Sequence, residues 1–148
     1  MQAIANNKKA NYDYVIIDKI DAGLVLTGPE VKSLRTNSSS IKESYINAES
    51  NELWLCNCFI KKYESSSERD SNPTRKRKLL VNRKELNKII GAVKKNGFTI
   101  IPLSMYFNDK GIVKISIGLG KGKKKYDKRE SQKTKDWNKN KQRLLKNN

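Results

Sequence analysis

The last fifth of the chain, residues 120–148, sets the terms for everything before it. It opens GKGKKKYDKRE and holds twelve Lys and Arg against three Asp and Glu, +9 of the chain's formal +17. Its only apolar anchors are Tyr126, Trp137, Leu144 and Leu145. So little apolar surface cannot offset the cost of ordering the backbone, about 1–2 kcal/mol per residue, and the segment is expected to be disordered when free. The fold must come from residues 1–119, enough for one domain with one core.

A segment with this charge calls for a polyanion, and the interleaved Tyr126 and Trp137 fit one with bases or grooves to stack against. The alternative is a merely solvated tail. Trp137, Leu144 and Leu145 fall on one narrow helical stripe, too weak to hold a helix alone but able to form one on a binding surface. Gly118, Gly120 and Gly122 read as a flexible exit from the folded part that lets the backbone approach phosphates. A phosphate loop is excluded, because the spacing is wrong and no Ser or Thr follows the lysine.

Several function classes lose their usual participants. The chain has no His, which removes the common ligand and acid–base group from metal and Ser-His chemistry. The carboxylates are scattered among lysines and arginines, so no two-metal cluster is apparent, and neither an enzyme nor a cofactor or metal is expected. Cys56 and Cys58, two apart and without a His, make a poor disulfide and an incomplete zinc site; they read as core residues in a reducing compartment. Residues 1–13 are polar, with no apolar centre of a signal peptide, and no apolar run approaches the ~20 residues of a membrane helix. A cytoplasmic protein is expected.

Along the chain, residues 1–13 look like a mobile basic arm. YVIID (14–18) and AGLVL (22–26), parted by three residues, read as a hairpin. Gly28-Pro29-Glu30 starts a short helix ending near Arg35. Residues 45–47 and 52–60 flank a turn at Glu49-Ser50-Asn51 and make a second hairpin, in which Trp54 and Phe59 read as core. Residues 65–78 form a basic connection whose TRKRK (74–78) is either a solvated loop or an RNA contact. Asn82 and Glu85 at capping-box spacing, Leu86, Ile89, Ile90 and Val93 at helical spacing, Lys94, Lys95 and Gly97 spell the clearest helix. A third hairpin joins residues 98–107 and 112–119 around Asn108-Asp109-Lys110-Gly111. In its second strand Val113, Ile115, Ile117 and Leu119 alternate with Lys114, Ser116 and Gly118, so one face is expected to be buried and the other wet. The sum is a mainly β protein: a six-stranded antiparallel barrel of the oligonucleotide-binding type, closed or partly closed, over residues 14–119 with two or three flanking helices. Asp21 and Glu30 are ordinary surface acids on this reading, although a carboxylate can accept hydrogen bonds from a base edge.

Longer blocks add a resemblance. AGLVLTGPEVKSLR (22–35), NPTRKRKLL (72–80) and GKGKKKYDKRE (120–130), with KESYI, ELWL and the DW at Trp137, resemble in matching order the signature blocks of the small protein B, or SsrA-binding, family. The resemblance implies the same six-stranded barrel and a role in ribosome rescue by trans-translation. In that family the barrel grips the tRNA-like part of transfer-messenger RNA, and the tail enters the empty messenger channel of a stalled ribosome, near the small-subunit decoding centre, and becomes helical there. It implies RNA-gripping roles for Asn7, Asp21, Glu30 and Leu80, helped by Lys8, Lys32 and Arg75. For the tail it implies Lys121, Lys123, Lys124, Tyr126, Asp127, Lys128, Arg129, Trp137, Arg143, Leu144 and Leu145. Further implied are an alanyl-charged complex with elongation factor Tu and a monomeric protein with no membrane partner. Asp21 stands where members commonly have Glu, Tyr126 where they often have His, and Asn72 where Asp is usual.

Overall fold

The structure, a computed structural model, describes residues 2–36, 39–63 and 72–123. Seven antiparallel strands form one sheet in the order β1-β6-β7-β2-β5-β4-β3. In chain order these are β1 Gln2–Asn6, β2 Tyr14–Leu24, β3 Tyr45–Glu49, β4 Glu52–Cys56, β5 Arg77–Leu80, β6 Thr99–Phe107 and β7 Val113–Gly122. Three helices, α1 Ala10–Asp13, α2 Gly28–Thr36 and α3 Arg83–Asn96, accompany it. Among the described residues β1 and β3 end the sheet without pairing to each other, so the expected six-stranded barrel is corrected to an open seven-stranded sheet.

The strand count differs for physical reasons. The expected first hairpin is one strand, because Ile20 and Ala22 both turn into the core and β2 pairs with β7 from Tyr14↔Gly122 to Gly23↔Lys114. A bulge at Ile17 shifts that register and raises the local twist. The expected mobile arm instead supplies β1, which pairs with β6, and the short helix α1. In β5, Leu79 and Arg77 face inward while Lys78 and Leu80 face out, a period-2 pattern within a basic run.

Elsewhere local chemistry acts as the sequence predicts. The Asn82 side chain accepts the Glu85 amide at 2.8 Å, and Gly97 ends α3 at φ 66°. Ser50 and Asn51, at φ 51° and 60°, form the two-residue turn between β3 and β4. Thr27 and Glu30 make a reciprocal capping box at the start of α2, with Thr27 N–H donating to Glu30 Oε1 at 2.9 Å and Glu30 N–H to Thr27 Oγ1 at 3.3 Å.

The core lies on one face of the sheet, where Ile20, Ala22, Leu53, Leu55, Leu79, Met105, Ile115 and Ile117 meet Leu34 of α2, Ile41 and Ile89 of α3. Cys58 joins it and Cys56 is buried beside it, both as free thiols pushed up in pKa chiefly by burial. Phe59 is exposed and Trp54 only half-buried, so neither is the core residue expected. Asn57, at φ 58°, breaks the alternation between them.

The glycines at the end of β7 are also corrected. Gly118 and Gly120 are buried strand positions rather than a flexible exit. A Cβ on Gly118 would lie 3.1 Å from both Ile16 and Leu103, and one on Gly120 only 2.6 Å from the Val15 carbonyl. Ile16, Ile101 and Leu103 therefore cross directly over β7. Gly120→Ala is expected to cost about 1–3 kcal/mol in chemical denaturation. Gly122→Ala, which meets nothing within 4 Å, should be nearly neutral.

Candidate nucleic-acid interface

Cross-strand register decides which side chains share the sheet face opposite the core. Asn6↔Ser104, Ser104↔Ser116 and Ser116↔Asp21 make one row across β1, β6, β7 and β2. Tyr106↔Lys114, Lys114↔Gly23 and Gly23↔Leu80 make the next, extending to β5. Beyond them Lys78↔Trp54 and Trp54↔Asn47 carry the face onto β4 and β3. It presents hydroxyls, amides, two aromatic rings and lysines.

Asp21 and Leu80, drawn together only by resemblance in the sequence, meet on this face. Asp21 is exposed and hydrogen-bonds Tyr106; burial, that bond and the neighbouring negative charge all push the Tyr106 hydroxyl up in pKa. Leu80 is 54% exposed. Its Cβ lies 3.3 Å from where a Gly23 Cβ would stand, so the glycine lets the leucine lie across β2. Tyr106 and Ser104 were not singled out in the sequence, and Lys114 and Ser116 were read only as the wet face of the last strand. The register fixed by the Asn108 turn was the signal that could have found them.

Asn7 sits at the corner where β1 ends. Its Nδ2 donates to the Pro102 carbonyl at 3.0 Å and its amide to the Leu103 carbonyl at 2.8 Å, serving the bulge in β6. It lines a cleft of about 280 Å³ with Tyr14, Lys42 and Tyr45. Lys8 is exposed in the turn before α1. Lys32 is exposed on α2, 5.9 Å from the Tyr63 ring centre. Lys121 lies 5.0 Å over the Phe98 ring, and the Lys123 amide donates to the Asp13 carbonyl at 2.9 Å. Lys121 sits near the far end of β7, about 23 Å from Lys114 by strand rise, and Lys123 lies just past the end of the strand. Lys124, Tyr126, Asp127, Lys128, Arg129, Trp137, Arg143, Leu144 and Leu145 lie outside the described residues.

The basic TRKRK run is largely spent on the fold. Lys76 pairs with Glu49 at 2.5 Å and covers the Trp54 ring at 4.9 Å, and Lys78 pairs with Glu52 at 3.1 Å. Arg77 is wholly buried. Its Nε donates to Glu30 Oε2 at 2.6 Å, Nη1 to the Cys58 carbonyl at 2.7 Å and Nη2 to the Pro73 carbonyl at 3.0 Å. Arg75 Nη2 reaches Glu30 Oε1 at 2.5 Å, with its side chain 38% exposed. The Asn72 Oδ1 accepts the Thr74 amide at 3.0 Å, forming the turn that delivers these arginines.

Fold and face together define a basic antiparallel β-sheet protein whose outer sheet face, left open by the described residues, suits a polar, anionic partner. The SmpB family model ("SmpB protein") matches residues 4–147, and the chain belongs to that family. It is 51% identical over 148 residues to the SsrA-binding protein of Ehrlichia canis (strain Jake), all of both chains. To that of Wolbachia pipientis subsp. Culex pipiens (strain wPip) it is 45% identical over 148 residues, covering 100% of this chain and 99% of the relative. A solved structure described as "tmRNA-SmpB: a journey to the center of the bacterial ribosome" superposes with a TM-score of 0.65 at 42% identity, over 81% of this chain and 84% of that one.

Two measurements probe the buried arginine and its carboxylate. Arg77→Met should cost about 3–5 kcal/mol in urea unfolding, since it removes the buried partner of the Glu30 carboxylate and the guanidinium donor to the Cys58 carbonyl. Burial pushes the Glu30 pKa up, but the Thr27 amide, Arg75 and Arg77 outweigh it and hold the group below its ordinary value of 4.5. A lowered folded pKa gives stability that is complete above the unfolded value and lost as pH falls through the folded one. The gap in thermal midpoint between the wild-type chain and Glu30→Gln should therefore be full above about pH 4.5 and close below it.

Proposed function

We propose that this chain is a non-catalytic RNA-binding adaptor of trans-translation, acting in the cytoplasm as a monomer. The outer face of the sheet holds the tRNA-like part of transfer-messenger RNA through Asp21, Leu80 and Asn7, with Lys8, Lys32 and Arg75 supplying charge. Tyr106 and Lys114 belong to the same surface by register. The tail acts separately: residues 120–148 seek the vacant messenger channel of a stalled ribosome near its decoding centre. There Lys121, Lys123, Lys124, Lys128 and Arg129 meet phosphates, Tyr126 and Trp137 stack, and Asp127, Arg143, Leu144 and Leu145 complete a segment that becomes helical on binding. The charged RNA is delivered in an alanyl complex with elongation factor Tu.

The observation that carries the reading is the convergence of Asp21 and Leu80 on one face of a chain that belongs to the SmpB family. Relatives named SsrA-binding proteins and a solved neighbour described as tmRNA-SmpB in the ribosome support it. A folded RNA is recognised by shape and a few sugar or base contacts, which a rigid sheet provides.

The two surfaces should fail independently. Leu80→Asp, at an exposed position, should weaken binding to a tRNA-like RNA by about tenfold or more, because it sets a carboxylate against phosphates. Truncation at Lys125 should leave that affinity nearly intact and abolish tagging of stalled chains. Equal affinity for unstructured RNA in a competition at fixed salt would instead indicate a general single-strand binder.

A further inference from the structure

We propose that Glu30 is a positioning residue that holds the Arg75 guanidinium for an RNA phosphate and does not itself touch RNA. The proposal rests on the RNA-binding reading above. A carboxylate offers about four lone-pair sites. At Glu30 they meet four donor groups: Thr27 N–H, Arg75 Nη2, Arg77 Nε and Arg77 Nη2. Its side chain is 13% exposed, which leaves no acceptor edge for a base or sugar hydroxyl.

Arg77 cannot be the contact either, because it is wholly buried and its fork is divided among Glu30, Cys58 and Pro73. Two guanidinium charges against one carboxylate leave a surplus of one, and Arg75 is the only exposed group to carry it. One Arg75 nitrogen is committed to Glu30, and its remaining contacts, to the Val25 and Lys76 carbonyls, are long at 3.5 and 3.4 Å. Of its five guanidinium N–H groups, one meets Glu30, two make only these long contacts, and two are left among the described residues for an incoming oxyanion. Val25 bonds through its amide to Lys78, two residues before Leu80, so Arg75 stands at the rim of the outer face. Glu30 thus fixes the arginine before RNA arrives, and the side-chain ordering is met in folding rather than in binding. A phosphate then finds an oriented fork of the kind it binds bidentately.

A double-mutant cycle on the full-length chain, using a labelled tRNA-like RNA over a salt series, tests this. Arg75→Met should weaken binding about tenfold and lower the salt slope by about one. Glu30→Gln should weaken it less, and should add nothing in the Arg75→Met background. Glu30→Asp, which keeps the charge and serves if Glu30→Gln unfolds, should show the same lost additivity. Arg75→Lys, a point charge without the fork, should restore the salt slope but only part of the affinity. Thermal melts alongside separate these effects from loss of fold. Equal losses from either Glu30 variant with and without Arg75→Met overturn the inference, as does an unchanged affinity in Arg75→Met itself. Failure of the wild-type chain to bind the RNA overturns the RNA reading and this inference with it.

Discussion

The described structure turns on one buried guanidinium. Arg77 ties β5 to α2 through Glu30, to the segment after β4 through the Cys58 carbonyl, and to the Asn72 turn through the Pro73 carbonyl. Burying a charge is tolerable only when it is paired and hydrogen-bonded, and each of the three Arg77 nitrogens has an acceptor. The pair need not add net stability over an apolar alternative. Its strength is directional: only one placement of α2 puts a carboxylate against that fork. The Thr27–Glu30 capping box fixes the same carboxylate from the helix side. Helix start, strand and loop thus converge on two oxygens.

That convergence changes what the charge of the chain means. A total of +17 invites the view that every basic run is RNA-facing. The densest run among the described residues, TRKRK, is instead a seam in which all four cations have acidic partners. The exposed pairs of Lys76 and Lys78 are worth little each, yet they cancel charge locally. Cationic surface for a polyanion has to come from the one charge left over where Arg75 and Arg77 share Glu30, and from elsewhere, such as Lys114 on the outer face, Lys8, Lys32 and the tail.

Much of this was legible beforehand, where local chemistry decides the outcome. The α3 caps, the Ser50-Asn51 turn, the Asn108 hairpin and the alternating core of β7 each follow from a few adjacent residues. What escaped depends on long-range pairing. Nothing near Lys19-Ile20-Asp21 says that β2 continues instead of turning; only β7 alongside makes it so. Gly118 and Gly120 resemble a flexible exit until Ile16, Ile101 and Leu103 are laid across them. Arg77 was visible in principle, since Arg77 and Leu79 alternate with Lys78 and Leu80. An arginine in an inward slot goes unnoticed because its partner stands 47 residues away in sequence. Asp21 and Leu80 came from resemblance alone, and the register of β2 with β5 supplies the reason they belong together.

The β2–β7 pair adds a constraint of distance. It is continuous from Gly23↔Lys114 to Tyr14↔Gly122, and it is braced where side chains cross Gly118 and Gly120. One end bears Leu80 beside the Glu30–Arg75 site; the other hands the chain on to residues 124–148. A ladder of that length is a stiff spacer of about 25–30 Å. On the reading proposed here, an RNA seated near Leu80 leaves the start of the tail outside its immediate footprint, since a Debye length at physiological salt is only about 8 Å. The two surfaces can then act on different RNAs at once without competing for the same cations. The buried glycines are what keep the spacer rigid: a flexible exit at Gly118 would let the tail fold back over the sheet face it has to leave clear.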